Sequence, residues 1–344
     1  MRHAITGFVA ALAVLTHAGT AGANEVETFY RGKQISILVG AAAGGVYDVT
    51  ARAVARHLGK HIPGNPAIVV QNLPTAGGLQ LANQLVNVTP QDGTVIALTN
   101  NALPSSAYLR PDNARFDPTR FSWIGSSGRD LQVVAMWHTS GIRTMDDLFS
   151  KDFVVGAISR GTALVDFPLL TNALIGTKFK IVAGYSGVPA VMLAIERGEV
   201  QGNGGLGWVQ AKAQFAGMLK DDKLKVIAQY GFKKAPDLAD VPLVPTGKTE
   251  ADRQAFELLY SRLDYGRPFF GPPNVPADRL AALRGALAAT MTDSEFRKDA
   301  DRVQLTIDHV SGEELADLTR RLAATPPAVS TRVRTILEGA LQIK

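Results

Sequence analysis

The chain has 344 residues, 36 basic and 31 acidic, with a formal charge of +5, and 46% of its residues are hydrophobic. It holds no cysteine, which excludes disulfides, thiolate metal sites and a thiol-linked lipid anchor. Its charges are interspersed rather than clustered, which speaks against a nucleic-acid partner, and no run approaches the roughly 18 to 20 apolar residues of a membrane span.

The first residues read as an export signal rather than as part of the fold. Arg2 precedes an apolar run from Ala4 to Leu15, and Ala21-Gly22-Ala23 fits an A-x-A cleavage site, so the mature chain is expected to begin near Asn24. Residues 1–23 hold one basic and no acidic side chain, which leaves a mature charge of +4. A bacterial periplasm is the expected location. About 321 mature residues exceed the size at which one core stops growing, so two domains are expected.

The segment from Gln34 to Ile62 reads as strand, loop and helix. Ile35, Ile37, Leu38 and Val39 suit a strand buried on both faces, and Val49, Ala53, Val54 and Leu58 recur at helical spacing. Between them Gly40 to Gly45 carries no bulky side chain, so a ligand can approach the N–H groups of the helix start, an end that attracts anions. The spacing of Gly40 and Gly45 is that of GxxxxGK[ST], but Val46 and Tyr47 replace the lysine and hydroxyl that hold phosphate and magnesium. Asp48, one turn into the helix, either reads a polar group of a ligand or pairs with Arg52.

The same logic recurs along the chain. Ala67–Gln71 reads as a strand, Asn72–Gly78 as a loop and Leu79–Val88 as a helix; Gly93–Leu98 is the next strand, ending at Thr99-Asn100-Asn101. Strands alternating with helices predict a parallel α/β sheet whose ligand loops, at 43–48, 75–78 and 99–101, share one edge. Past the proline-containing stretch from Pro104 to Arg120 the chain is expected to cross into a second lobe. There Phe153–Ala157 is strand, Ser159–Thr162 loop, Ala163–Leu174 helix, Lys180–Ala183 strand, Gly184–Pro189 loop and Ala190–Arg197 helix. Leu224–Ala228 is a further strand, and Pro236–Thr246 reads as the return linker. Phe256–Leu263 is then a helix, Pro268–Gly271 a short strand and Ala277–Thr290 a helix. Thr292 with Glu295, and Ser311 with Glu314, have the spacing of capping boxes.

Three chemical readings find little support. Gly202 to Gly207 is a literal GxGxxG, but Glu196–Val200 before it is a helix end and a turn, so the strand a dinucleotide site requires is missing, and a glycine-rich strand with Trp208 as cover fits better. His57 and His61 are four apart, yet Gly59 between them marks the helix end. No histidine stands beside a serine in a G-x-S-x-G elbow, and there is no HExxH. No catalytic residue, metal site or cofactor is expected; two α/β lobes, a cleft and backbone donors describe a binding protein.

The order Ile37-Leu38-Val39, Gly44-Gly45, Asp48, Ala51-Arg52, Val69–Asn72, Ala76-Gly77-Gly78 and Pro90–Thr94 resembles the Bug family, the extracytoplasmic solute receptors of tripartite tricarboxylate transporters. The resemblance continues through Gly161-Thr162, Tyr185–Ala190, Gly198–Val200 and Gly271–Pro276 and covers nearly all of the mature chain. It implies a type II periplasmic-binding-protein fold whose lobes close on a small organic acid, and a membrane permease as partner. The implied division is signal peptide 1–23, first lobe 24–125, second lobe 126–235, and return linker with the rest of the first lobe 236–344. Ala41–Ala43, Gln201, and Ser159, Arg160 and Val165 depart from the family pattern. The ligand is expected at Ala43, Gly44, Gly45, Asp48, Gly77, Gly78 and Asn100 of the first lobe and at Arg160, Gly161, Thr162, Tyr185 and Gly187 of the second, with Arg160 holding a second carboxylate. A monomeric receptor is the expected form; an exported enzyme on the same cleft, or a ligand sensor without a transport role, is the alternative.

Overall fold

The computed structural model describes residues 25–73, 78–339 and 342–343. The expected signal peptide lies outside them. Twelve strands among these residues form two six-stranded sheets. In chain order the strands are β1 (Gln34–Val39), β2 (Ala67–Asn72), β3 (Val95–Leu98), β4 (Ser122–Ser126), β5 (Gln132–Trp137), β6 (Phe153–Gly156), β7 (Phe179–Ala183), β8 (Gly202–Gly207), β9 (Leu224–Gln229), β10 (Pro268–Gly271), β11 (Val310–Ser311) and β12 (Gln342–Ile343). The first sheet has the order β11-β4-β10-β3-β1-β2 and the second β12-β7-β6-β8-β5-β9.

Neither sheet is purely parallel, contrary to the sequence expectation. β1 pairs parallel with β2 and β3, but β10 runs antiparallel between β3 and β4. In the second sheet β6 is parallel to β7 and β8, while β5 is antiparallel to β8 and β9. The reason is topological. The parallel strands end at the loops that face the other lobe, so a chain entering from that lobe, as β5 and β10 do, starts at this end and runs backwards. A third crossing follows: β12 pairs with β7, so the C-terminal strand joins the second sheet, although the sequence reading closes the chain in the first lobe.

The helices that matter for the site are α1 (Val46–Leu58), α2 (Leu79–Asn87), α3 (Leu103–Leu109), α4 (Ala163–Ile175), α5 (Val188–Glu196), α6 (Glu250–Tyr265), α7 (Ala277–Thr292), α8 (Ser294–Arg302), α9 (Gly312–Ala323) and α10 (Pro327–Leu337). Capping chemistry sets several starts. Ser311 and Glu314 form the anticipated reciprocal box at α9, and Thr249 with Asp252 forms another at α6. Thr292, by contrast, is the last residue of α7; the cap of α8 is Asp293, whose carboxylate accepts from the N–H groups of Glu295 and Phe296. An aspartate already in extended backbone geometry outcompetes a threonine still inside a helix.

The apolar interior does not divide by lobe. A smaller cluster under α1, α7 and α8 contains Ile35, Ile37, Val39, Val54, Leu287 and Phe296. The larger one runs from Leu81 and Trp123 of the first lobe through Phe256, Leu259 and Tyr265 of α6 to Val133, Phe153 and Val191 of the second lobe. α6 is thus an apolar spine between the lobes. Its C-terminus meets the crossing segments, where Arg267 Nη1 donates to Asp130 at 2.9 Å and Nη2 to the Thr306 carbonyl at 2.9 Å.

Gly202–Gly207 is the strand β8, and its glycines answer to packing. A Cβ on Gly204 would stand 2.5 Å from Pro168 Cγ and one on Gly205 2.3 Å from the Ala163 carbonyl oxygen, because α4 lies directly on the strand. The motif lets helix and sheet approach, with no loop left to cradle a pyrophosphate. His57 and His61 bind α1 to α8: His57 Nε2 is 2.9 Å from Asp299 Oδ2 and His61 Nε2 is 3.0 Å from Asp293 Oδ2. The Lys60 ammonium stands 2.6 Å from Asp293 and 2.9 Å from Glu295 and offsets part of their charge.

Candidate functional site

Register places the loops of each lobe along one edge. Val39, Asn72 and Leu98 are aligned neighbours at the ends of β1, β2 and β3, and Gly156 aligns with Val182 near the end of β7. The helices α1 and α4, one in each lobe, then begin with the same device. In the first lobe Gly44, at φ +81°, donates its N–H to Asp48 Oδ2 at 2.8 Å, and Arg52 Nε donates to Asp48 Oδ1 at 2.9 Å. In the second lobe Gly161, at φ +86°, donates its N–H to Asp166 Oδ1 at 2.9 Å, and Arg262 Nη2 donates to Asp166 Oδ2 at 3.2 Å. A glycine turns the loop back, an aspartate in the first helical turn holds it, and an arginine balances the charge.

Asp48 therefore pairs with Arg52 and the Gly44 N–H, the pairing that the sequence left open beside a ligand contact. Arg52 continues to Asn72 Oδ1 at 3.0 Å, and Asn72 Nδ2 to the Ala41 carbonyl at 3.1 Å, tying the loops after β1 and β2 together. Burial pushes the Asp48 carboxyl up, but the hydrogen bonds from Arg52 and the Gly44 N–H outweigh it and hold the group below the ordinary carboxylate value. Ala43, Gly44 and Gly45 lie exposed beside it, and no side chain caps α1. Gly78 is buried, its added Cβ position only 2.9 Å from Thr99 Cβ, so it is a close contact between loops rather than a ligand surface. Gly77 lies outside the described residues.

A cavity of about 560 Å³ opens where the two lobes meet. From the first lobe it takes Asn100 and the start of α3, from the second Ser159, Arg160, Gly161 and Asp166, and from the spine and the last helix Arg262 and Arg334. Of the residues expected to bind ligand, Asn100, Arg160 and Gly161 line it; Ala43, Gly44, Gly45, Asp48, Gly78, Thr162, Tyr185 and Gly187 do not. Asn100 Oδ1 accepts from the Ala102 N–H at 2.8 Å and so helps start α3. Thr162 Oγ1 turns back to the Ser159 carbonyl at 2.6 Å. Tyr185 is buried against Gly156, and Gly187 has extended backbone that any residue adopts.

Arg160 lines the cavity but does not pair with Asp166. Its guanidinium donates to the carbonyl oxygens of Leu337 and Gly339, the unpaired C-terminal end of α10, where a cation is favoured. Arg262, missed in the sequence, is the buried cation: it is 5% exposed, spans Asp166 and the Gly161 carbonyl, and its Nε has no partner among the described residues. Arg110, also missed, caps the end of α3 and lies over Gly161, where an added Cβ would be 2.7 Å from its Nη2. Nothing in the sequence marked Arg110, which sits in a stretch that reads as linker. The spacing from Arg262 to Asp166 carries no local signal either.

A chain of contacts links this edge to the crossing segments. The Asn101 N–H donates to the Tyr47 hydroxyl at 3.1 Å, Asn101 Nδ2 to Asp130 Oδ2 at 2.6 Å, and Asp130 is the partner of Arg267. Burial raises the Asp130 carboxyl, only partly offset by Arg267 and Asn101. A second cavity, of about 470 Å³, is lined by Val209, Lys212 and Ala213 just after β8 and by Arg297, Asp301 and Thr306 of the other lobe. The Lys212 ammonium is already paired with Asp237 at 2.6 Å.

No family model and no curated protein sequence matches the chain. Solved structures do. The chain is similar to a TctC solute-binding protein from Polaromonas, crystallised without ligand, with a TM-score of 0.69 and 19% identity over 90% of this chain and 99% of that one. It is similar to the periplasmic binding protein BugD, with a TM-score of 0.60 and 18% identity over 92% and 100% of the two chains. It also resembles MatC from Rhodopseudomonas palustris with bound malate, with a TM-score of 0.58 and 18% identity over 89% and 99%. The chain thus has the two-lobed α/β fold of the TctC and Bug periplasmic binding proteins, as the sequence resemblance implied.

Proposed function

We propose that this protein is an extracytoplasmic solute receptor that captures a small organic carboxylate between its lobes and hands it to the membrane permease of a tripartite tricarboxylate-type transporter. The observation that carries the reading is the cavity itself. Four arginines, Arg110, Arg160, Arg262 and Arg334, line it against two carboxylates, Asp166 and Glu338, and both lobes contribute to its wall. Such a surplus of positive charge favours an anion, and a guanidinium meets a carboxylate with two parallel hydrogen bonds. The volume lies within the roughly 300 to 1,000 Å³ of small-molecule sites. Malate bound to MatC, a protein of the same fold, supports an acid as the ligand class.

Export through a cleaved leader, a periplasmic location and a monomeric receptor belong to the same proposal, with Arg2 and Ala21-Gly22-Ala23 as their support. Among the described residues no helix is long and apolar enough to cross a membrane. The described cavity holds no nucleophile paired with a base, which favours binding over the alternative of an exported enzyme. A thermal-shift screen of organic acids tests the reading, because a ligand at 100 times its Kd adds about 2.7 kcal/mol to stability. Mass spectrometry of the ligand recovered afterwards separates receptor from enzyme: unchanged compound is expected, and a converted product would refute the receptor.

A further inference from the structure

We propose that Arg110 and Arg334 are specificity-determining residues that select ligands carrying two acid groups; this rests on reading the interlobe cavity as an acid-binding site. The four arginines of the cavity are not equivalent. Arg262 is held by Asp166 and the Gly161 carbonyl, which leaves only its buried Nε without a partner, and Arg160 is held by the carbonyls at the end of α10. The Arg110 guanidinium has no hydrogen-bond or ion-pair partner among the described residues, and the Arg334 guanidinium donates only to the Thr331 hydroxyl, at 3.2 Å. Of the two carboxylates in the wall, Asp166 is saturated by the Gly161 N–H and Arg262, and Glu338 is an exposed group on the rim. Two guanidinium groups are thus left for the ligand. One carboxylate can satisfy one of them.

Their placement decides between an extended and a compact dianion. Arg110 ends α3 in the first lobe and stands over Gly161 of the second, so it is the cation that reaches across the cleft. Arg334 comes from α10, which packs against both α3 and α4. The lining they belong to also contains Leu79, Leu103, Leu109 and Leu337. Two anchors on separate elements, in a cavity whose lining includes leucines, fit two carboxylates joined by a short aliphatic spacer. A phosphate concentrates its charge at one point and leaves those leucines wet. Because Arg110 touches the second lobe, a carboxylate on it also favours the approach of the lobes.

Calorimetry on matched acids tests this: succinate against butyrate and glutarate against pentanoate, with the wild type, Arg110→Ala, Arg334→Ala and Arg110→Lys. The wild type is expected to prefer each diacid at least tenfold. Each alanine variant is expected to lose tenfold or more for the diacid and less than about threefold for the monoacid, and the lysine variant to recover only part, since an ammonium cannot pair bidentately. Melting temperatures should stay close to wild type, because neither arginine is a core residue. Equal losses for both acids, no loss for either, or phosphate bound more tightly than every diacid would overturn the assignment while leaving an acid receptor standing. A wild type that binds none of the four acids would overturn the receptor reading and this inference with it.

Discussion

Replacing Arg262 with methionine probes the contact that joins the spine helix to the second-lobe loop. The side chains of Arg262 and Asp166 are 6% and 3% exposed, and their polar atoms are 3.2 Å apart. Removing the cation leaves a buried carboxylate with only the Gly161 N–H as donor, a situation that costs about 3 to 5 kcal/mol. At roughly 2 °C per kcal/mol for a chain of this size, calorimetry should show a fall of about 6 to 10 °C in Tm. The double variant Arg262→Met with Asp166→Leu removes both charges and should recover most of the loss, because a buried pair contributes little over well-packed apolar groups. A fall of under about 1 °C for Arg262→Met, or a double variant less stable than the sum of the singles, would refute the view that this pair matters through its burial.

Asp48→Asn should lower stability by about 1 to 3 kcal/mol at neutral pH, since it removes a charged acceptor from the Gly44 N–H and Arg52. Because the folded carboxyl titrates below its ordinary value of 3.8, its contribution is present above that pH and lost as the pH falls through the folded value, so acid melting curves of the variant should be flatter below about pH 4. Gly205→Ala forces a Cβ to 2.3 Å from the Ala163 carbonyl and should destabilise by about 1 to 3 kcal/mol or more in chemical denaturation. Asp293→Ala should lower the denaturation midpoint in the same assay and Thr292→Ala should leave it close to wild type, because only the former caps α8.

Much of the architecture was legible because it follows from local rules. The β-branched run at Ile35–Val39, the glycine loop and the amphipathic helix after it become β1 and α1 within a residue or two, and Ser311 with Glu314 marks α9. The site was less legible. Small residues at Gly40–Gly45 and Ser159–Thr162 announce two loops at strand ends, but the partner each polar group takes depends on elements far away in sequence. Arg160 is drawn to the end of a helix some 177 residues later, and Arg262 reaches Asp166 from 96 residues away. The direction of β5 and β10 was hidden for the same reason, being fixed by the lobe from which each strand arrives rather than by its own residues.

A crystal structure with the best acid from the thermal screen tests the central claim most directly. The account predicts ligand density in the interlobe cavity, within hydrogen-bonding distance of Arg110 and beside Asn100 and Gly161. Density in the groove of Lys212, Arg297 and Asp301, or an acid held wholly by one lobe, would contradict it.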